Sequence, residues 1–309
     1  MSSASIDMSS VSSGAVLGDG PRVVDFIALL KPRVMSLVVF TGFAGVMLAP
    51  GHLHPLLATV AILCIAVAAG ASGAINMWYD RDMDAGMNRT RNRPLPAGRM
   101  NPADALGFGV VLAVAAVTVM GLAVNYVAAA LLVLAICFYV FVYTIWLKRR
   151  TPQNIVIGGA SGAFPPMIGW AAVSGDVSPA SLALFVIIFM WTPPHFWALS
   201  LYRCDDYARV GVPMMPVVAG ARETRKLVLL YTAVLVPLTL APFWLGVTGI
   251  AYASAALVLG VIFLGLALRL WVTATDAAAK AMFSYSILYL FALFAAMLAD
   301  ASTATWMTS

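Results

Sequence analysis

The chain has 309 residues; 62% are hydrophobic and 10% charged, with 18 Lys and Arg against 13 Asp and Glu. About a quarter of an ordinary soluble domain is charged. Together with a mean hydropathy of +0.94 and long apolar runs, this composition excludes a soluble globular enzyme, a disordered protein and a nucleic-acid-binding domain.

In chain order, residues 1–20 are rich in Ser and Gly and hold no Lys or Arg. They lack the apolar stretch of a cleaved signal. The expectation is a disordered cytoplasmic tail over 1–26, then a single transmembrane domain over 27–309. A bilayer core about 30 Å thick takes roughly 20 apolar residues of helix. The apolar runs predict an all-α polytopic bundle of nine transmembrane helices, near 34–50, 55–79, 104–123, 126–147, 154–173, 180–202, 227–246, 249–271 and 283–299. All 18 Lys and Arg then fall on one side of the bundle, while the outer loops Gly51–His54 and Ser174–Pro179 have none. The positive-inside rule puts the N-terminus in the cytoplasm and the C-terminus outside. The expected location is the inner (cytoplasmic) membrane, multi-pass, with the chemistry on the cytoplasmic face. Cys64, Cys137 and Cys204 lie far apart and fit neither a disulfide framework nor a zinc site.

The end of the second span reads Asn76-Met-Trp-Tyr-Asp80-Arg-Asp82-Met-Asp84, followed by Arg89, Arg91, Arg93 and Arg99. At 100° per residue, Asn76, Asp80 and Asp84 fall within an arc of about 80°, rising roughly 6 Å per step. One helix face thus carries an amide and two carboxylates, with Asp82 pointing away. Oxygen donors of this kind suit Mg2+, which bridges one or two carboxylates to phosphates. Guanidinium groups match phosphate oxygens in pairs. Carboxylates for a metal beside arginines for phosphate form a diphosphate site, and carboxylates near apolar surroundings are costly and usually functional. A second acidic pair, Asp205-Asp206, lies just beyond span six. If the two helix ends converge, two metal ions held between them would clamp a leaving diphosphate.

The series Asn76-x-x-x-Asp80-x-x-x-Asp84 is similar to the first acidic motif of the intramembrane aromatic prenyltransferase superfamily, relatives of the ubiquinone-pathway enzymes. The segment Tyr143-Thr-x-Trp-Leu-Lys148-Arg149 resembles the superfamily's cationic segment after its fourth helix. Within the superfamily, Leu30-Lys-Pro-Arg33, Gly159-Ala-Ser-Gly-Ala-Phe-Pro-Pro166, Trp191-Thr-Pro-Pro-His195-Phe-Trp197 and Asp206 to Pro216 look like the haem-farnesylating branch. The resemblance covers about 27–300. It implies transfer of the farnesyl group of farnesyl diphosphate to the 2-vinyl group of haem B, with addition of water, giving haem O and diphosphate. It implies Asn76, Asp80, Asp84 and Asp206 as catalytic residues and Asp80, Asp84, Asp206 and Asp205 as holders of Mg2+. Arg89, Arg93, Lys148 and Arg149 are implied as diphosphate ligands. The implied partners are haem B, farnesyl diphosphate, the lipid bilayer and a haem A synthase or terminal oxidase assembly factor. The sequence departs from the superfamily in its second acidic loop: many members carry Asp-x-x-x-Asp, whereas here Tyr202 stands four residues before Asp206. Asp206 is therefore carried over ahead of Asp205.

His195 follows Pro193-Pro194 inside span six. The proline pair is expected to break or kink the helix, and His195 either contacts haem or is satisfied by the freed carbonyls. Two other readings draw on the same residues. One is polyprenyl transfer to a different aromatic acceptor, such as a hydroxybenzoate or a chlorophyll precursor. The other is a membrane transporter with broken helices at Pro165-Pro166 and Pro193-Pro194.

Overall fold

The computed structural model describes residues 21–308. The expected tail over 1–20 lies outside the described residues. Val23–Leu29 already form a helix, α1, so ordered structure begins inside the stretch expected to be tail. Its Asp25 is buried and accepts a 2.9 Å bond from Arg99 Nε.

All regular structure among the described residues is helical. After α1 come α2 (Pro32–Leu48), α3 (Pro55–Tyr79) and the short α4 (Arg81–Gly86). Then come α5 (Pro102–Val124), α6 (Tyr126–Leu147), α7 (Asn154–Ser174) and α8 (Pro179–Leu201). Two short helices, α9 (Cys204–Arg209) and α10 (Met215–Val218), lead into α11 (Gly220–Leu238), α12 (Ala241–Trp244), α13 (Ile250–Thr273) and α14 (Asp276–Thr308). Eight of these segments, counting α11 and α12 as one, are long and apolar enough to cross a membrane; α2 is shorter, at 17 residues. Each of the nine expected spans falls on one of these helices. The chain is a multi-pass membrane protein.

Side-chain size sets the packing. α7 lies innermost, against α2, α3, α6 and α8. A Cβ on Gly45 would overlap the Pro166 backbone, and one on Gly169 would overlap the Gly42 carbonyl, so α2 and α7 touch backbone to backbone. Small residues give membrane helices this close approach where no hydrophobic force drives them together. α14 closes the bundle against α2, α8 and α13.

The expected break at the proline pairs does not occur. α7 and α8 run unbroken through Pro165-Pro166 and Pro193-Pro194. Each pair removes two amide donors, but both stretches are buried between neighbouring helices, and packing of this kind tolerates proline in membrane helices. Thr192 Oγ1 also donates to the Ile188 carbonyl at 2.8 Å. Conversely, α6 loosens from Phe138 to Leu147 into a π-helix that no proline announces.

Candidate active site

The basic ends of the helices converge on one end of the bundle. The i→i−4 bonding of α3 carries on past its last residue: Asp80 N donates to the Asn76 carbonyl at 2.9 Å and Asp84 N to the Asp80 carbonyl at 2.8 Å. The column therefore persists through α4. Asn76 Nδ2 donates to Asp80 Oδ2 at 2.7 Å, and Asn76, Asp80 and Asp84 are all buried.

The π-helical end of α6 runs alongside this column. Thr144 Oγ1 accepts from Asn76 Nδ2 at 3.2 Å, and one turn on Lys148 Nζ pairs with Asp80 Oδ2. Lys148 N donates to the Tyr143 carbonyl five residues back, the wider turn that marks the π geometry. Tyr143 packs over Gly158 of α7, where a Cβ would overlap its ring.

Arg93 Nη1 donates to Asp84 Oδ2 at 2.7 Å. Arg149 is held differently: its guanidinium forks onto Asp82 at 2.9 and 2.7 Å and lies 5.0 Å from the Tyr79 ring centre. The same group stands 3.8 Å from Asp80 Oδ1. Asp82 itself is exposed, away from the column as its position predicts, and the Arg149 fork holds its carboxyl well down, at about 2. Arg89 is exposed and makes no hydrogen bond or ion pair among the described residues.

Three participants have no role assigned by the sequence patterns, although Lys31 and Thr144 lie within quoted motif segments. Lys31, in a left-handed backbone conformation (φ 51°) between α1 and α2, donates to Asn76 Oδ1 at 2.8 Å. Burial, aided by the charges of Arg93 and Lys148, pushes its ammonium down to about 7. Thr144 is the second. The third, Asn88, donates from Nδ2 to Asp206 Oδ1 at 3.4 Å. Asn88 extends the four-residue series 76, 80, 84, and that spacing was its available signal.

The second acidic segment reaches the first through apolar contact. Val212, Met214 and Tyr207 bury themselves against Met83, Met87 and Ile155, folding the Val210–Met214 loop over α4. Asp206 is buried; it takes Arg209 Nη1 at 3.2 Å as well as Asn88. Asp205 points to solvent. A cleft of about 260 Å³ opens here, lined by Asp82, Met83, Arg149, Val210, Gly211 and Val212. No group of three or more His, Cys, Asp or Glu side chains gathers at metal-holding distance among the described residues. The two segments meet amide to carboxylate, and Asp80, Asp82, Asp84 and Asp206 each have a basic partner.

Donors for one hard cation are nevertheless present on the first column. Asp80 Oδ1 is buried without a hydrogen bond, and Asp84 Oδ1 carries none among the described residues. An orphaned carboxylate oxygen inside a protein is costly unless a cation or donor meets it. The residues fit a magnesium ion.

Three of the aromatic side chains in the motif segments, Trp146, Trp197 and Phe164, pack elsewhere. Trp146 faces outward, Trp197 packs on Tyr231 and Phe164 on Phe185. Tyr143 and Phe196 line the Met83–Met87 cluster. His195 lies deeper in α8, bonded to Ser286 rather than to freed carbonyls.

The model of the UbiA prenyltransferase family matches residues 38–304. A protein of Parvibaculum lavamentivorans named protoheme IX farnesyltransferase is 61% identical over 280 residues, covering 89% of this chain and 88% of that one. Among solved structures, one described under digeranylgeranylglyceryl phosphate synthase superposes with a TM-score of 0.76 at 16% identity, covering 91% of this chain and 98% of the other. A UbiA homolog from Archaeoglobus fulgidus bound to GPP and Mg2+ gives 0.65 at 17% identity, covering 88% and 99%. At such identities the structures speak for the fold, and the match along most of the sequence speaks for the family: this chain belongs to the UbiA prenyltransferase family.

Proposed function

We propose that this chain transfers the farnesyl group of farnesyl diphosphate to the 2-vinyl group of haem B, with addition of water, giving haem O and diphosphate. The observation that carries the transfer chemistry is Asp80, buried, half-satisfied and ringed by Lys148, Arg149 and the Asn76–Lys31 pair. The choice of haem as acceptor rests on the likeness to relatives named protoheme IX farnesyltransferase.

In this reading Asp80 and Asp84 would hold Mg2+, and Asp206, seated by the loop over α4, would add a further carboxylate. A bound ion would supply positive charge against the departing diphosphate. Arg89, exposed and unpaired, and Arg93, Lys148 and Arg149, drawn from their carboxylates, grip the phosphate oxygens. Preplaced charge of this kind stabilises charge separation most where water is excluded, and the apolar Met83–Met87–Tyr207 cluster borders the site. The allylic cation left at farnesyl C1 would need aromatic faces rather than nucleophiles around it, since aromatic faces attract cations; Tyr143 and Phe196, beside the Met83–Met87 cluster, are the candidates. The terminal carbon of the haem vinyl group then bonds to C1, and water adds to the cation left on the neighbouring vinyl carbon, releasing a proton.

The reading also places nine spans in a bacterial inner membrane, with the N-terminus and the site on the cytoplasmic side and the C-terminus outside. A haem A synthase or terminal oxidase assembly factor would receive the product. The test is to incubate membranes holding the protein with haem B, farnesyl diphosphate and magnesium, and to weigh the haem product by mass spectrometry. A haem gaining farnesyl plus water, and lost on chelation, is the expected outcome. Farnesylation of another added aromatic acceptor, with haem untouched, would overturn the acceptor.

A further inference from the structure

About 9 Å from the Leu201 end of α8, at 1.5 Å per residue, His195 is held more tightly than packing requires. Trp191 stacks on its imidazole at 4.3 Å and 17°, Phe283 at 4.7 Å and 24°, and Phe196 meets it edge-on at 5.1 Å. The ring plane is thereby fixed, and the side chain is 9% exposed.

Nδ1 lies 2.6 Å from Ser286 Oγ, and the same Oγ lies 2.6 Å from the Phe283 carbonyl oxygen. Contacts this short between electronegative atoms each need a proton. The serine hydroxyl has one, and the carbonyl has none. The hydroxyl therefore donates to the carbonyl, and Nδ1–H donates to Oγ. The imidazole is the Nδ1–H tautomer, and Nε2 carries the lone pair. Ser286 is itself pinned, since its carbonyl accepts Trp191 Nε1–H at 2.8 Å. Nε2 has no hydrogen-bond partner among the described residues, yet it is not among the occluded polar atoms, so its lone pair opens onto accessible space.

An imidazole with one nitrogen donated to a fixed oxygen and the other bare is the arrangement of metal-ligating histidines. We infer that His195 Nε2 ligates the iron of the haem acceptor, with Ser286 as the positioning residue that sets tautomer and ring plane. This rests on the haem reading above. A water held by Nε2 would use the same lone pair, but water adapts to any ring orientation and needs no clamp on both faces. The ligation fixes one axis of the porphyrin, which the diphosphate site cannot do.

The test uses full-length purified protein carrying ¹⁵N-histidine, loaded with ferric haem B and examined by pulsed EPR. Histidine-nitrogen coupling to iron is expected in the wild type and lost in His195→Ala; the other two histidines, His52 and His54, lie in the loop between α2 and α3. Ser286→Ala is expected to lower haem affinity about 10- to 100-fold, the usual scale for losing a partner that orients a ligand. Ser286→Thr, which keeps the hydroxyl, should restore it. Unchanged farnesyl diphosphate binding reports that each variant folds. A wild-type protein that farnesylates haem yet shows no histidine coupling overturns the ligation alone. One that binds no haem overturns the ligation and the acceptor together.

Discussion

The two acidic segments of this protein are built on different principles. In the first, a continuous helical register stacks Asn76, Asp80 and Asp84, and a parallel helix supplies Thr144 and Lys148 rung by rung. In the second, a six-residue helix buries one of its two carboxylates, Asp206, exposes Asp205, and ties Asp206 chiefly to Arg209 of its own turn. The first is fixed by tertiary structure. The second is fixed only as far as the loop over α4 is seated. A carboxylate column of the first kind is set by helix register and a neighbouring helix, whereas the second depends on the apolar seating of the Val210–Met214 loop.

This contrast ranks the effects of substitution. Asp80→Ala or Asp84→Ala should cost about a hundredfold or more in kcat, the scale for losing one preplaced charge-stabilising group, with protein levels in the membrane unchanged. Asp206→Ala should cost roughly tenfold, because its orphaned partners Arg209 and Asn88 reach solvent; steady-state turnover against magnesium concentration separates it from the first pair. Asp82→Ala frees Arg149 without touching the column. Exposed ion pairs are worth about 1 kcal/mol or less, so KM for farnesyl diphosphate should rise up to about fivefold while kcat holds. Asp205→Ala should be near wild type in the same assay. Equal losses at Asp205 and Asp206 would erase the distinction between the segments.

Much of this was legible in the residues. The apolar runs mark the long helices, the basic residues mark one end of the bundle, and four-residue spacing puts Asn76, Asp80 and Asp84 on one face while turning Asp82 away. These are local properties of a helix. The contacts that complete the site are not local: Lys31 meets Asn76 across 45 residues, Thr144 across 68, and Asn88 meets Asp206 across 118. Proline pairs signal a local break or kink, yet α7 and α8 continue through them where they are buried between neighbouring helices. The resemblance implies Arg149 as a diphosphate ligand, but a fork to Asp82 and the Tyr79 ring decide where it rests. The partner of His195 comes from α14, 91 residues away, beyond any spacing rule.

The most direct measurement is farnesyl transfer to haem B by the wild type, Asp80→Asn and Asp205→Asn, each titrated with magnesium. Asn keeps the volume of the side chain and removes the charge. The account predicts magnesium-dependent product from the wild type and Asp205→Asn, and turnover reduced about a hundredfold or more in Asp80→Asn. Asp80→Asn that turns over at the wild-type rate and magnesium requirement would contradict it.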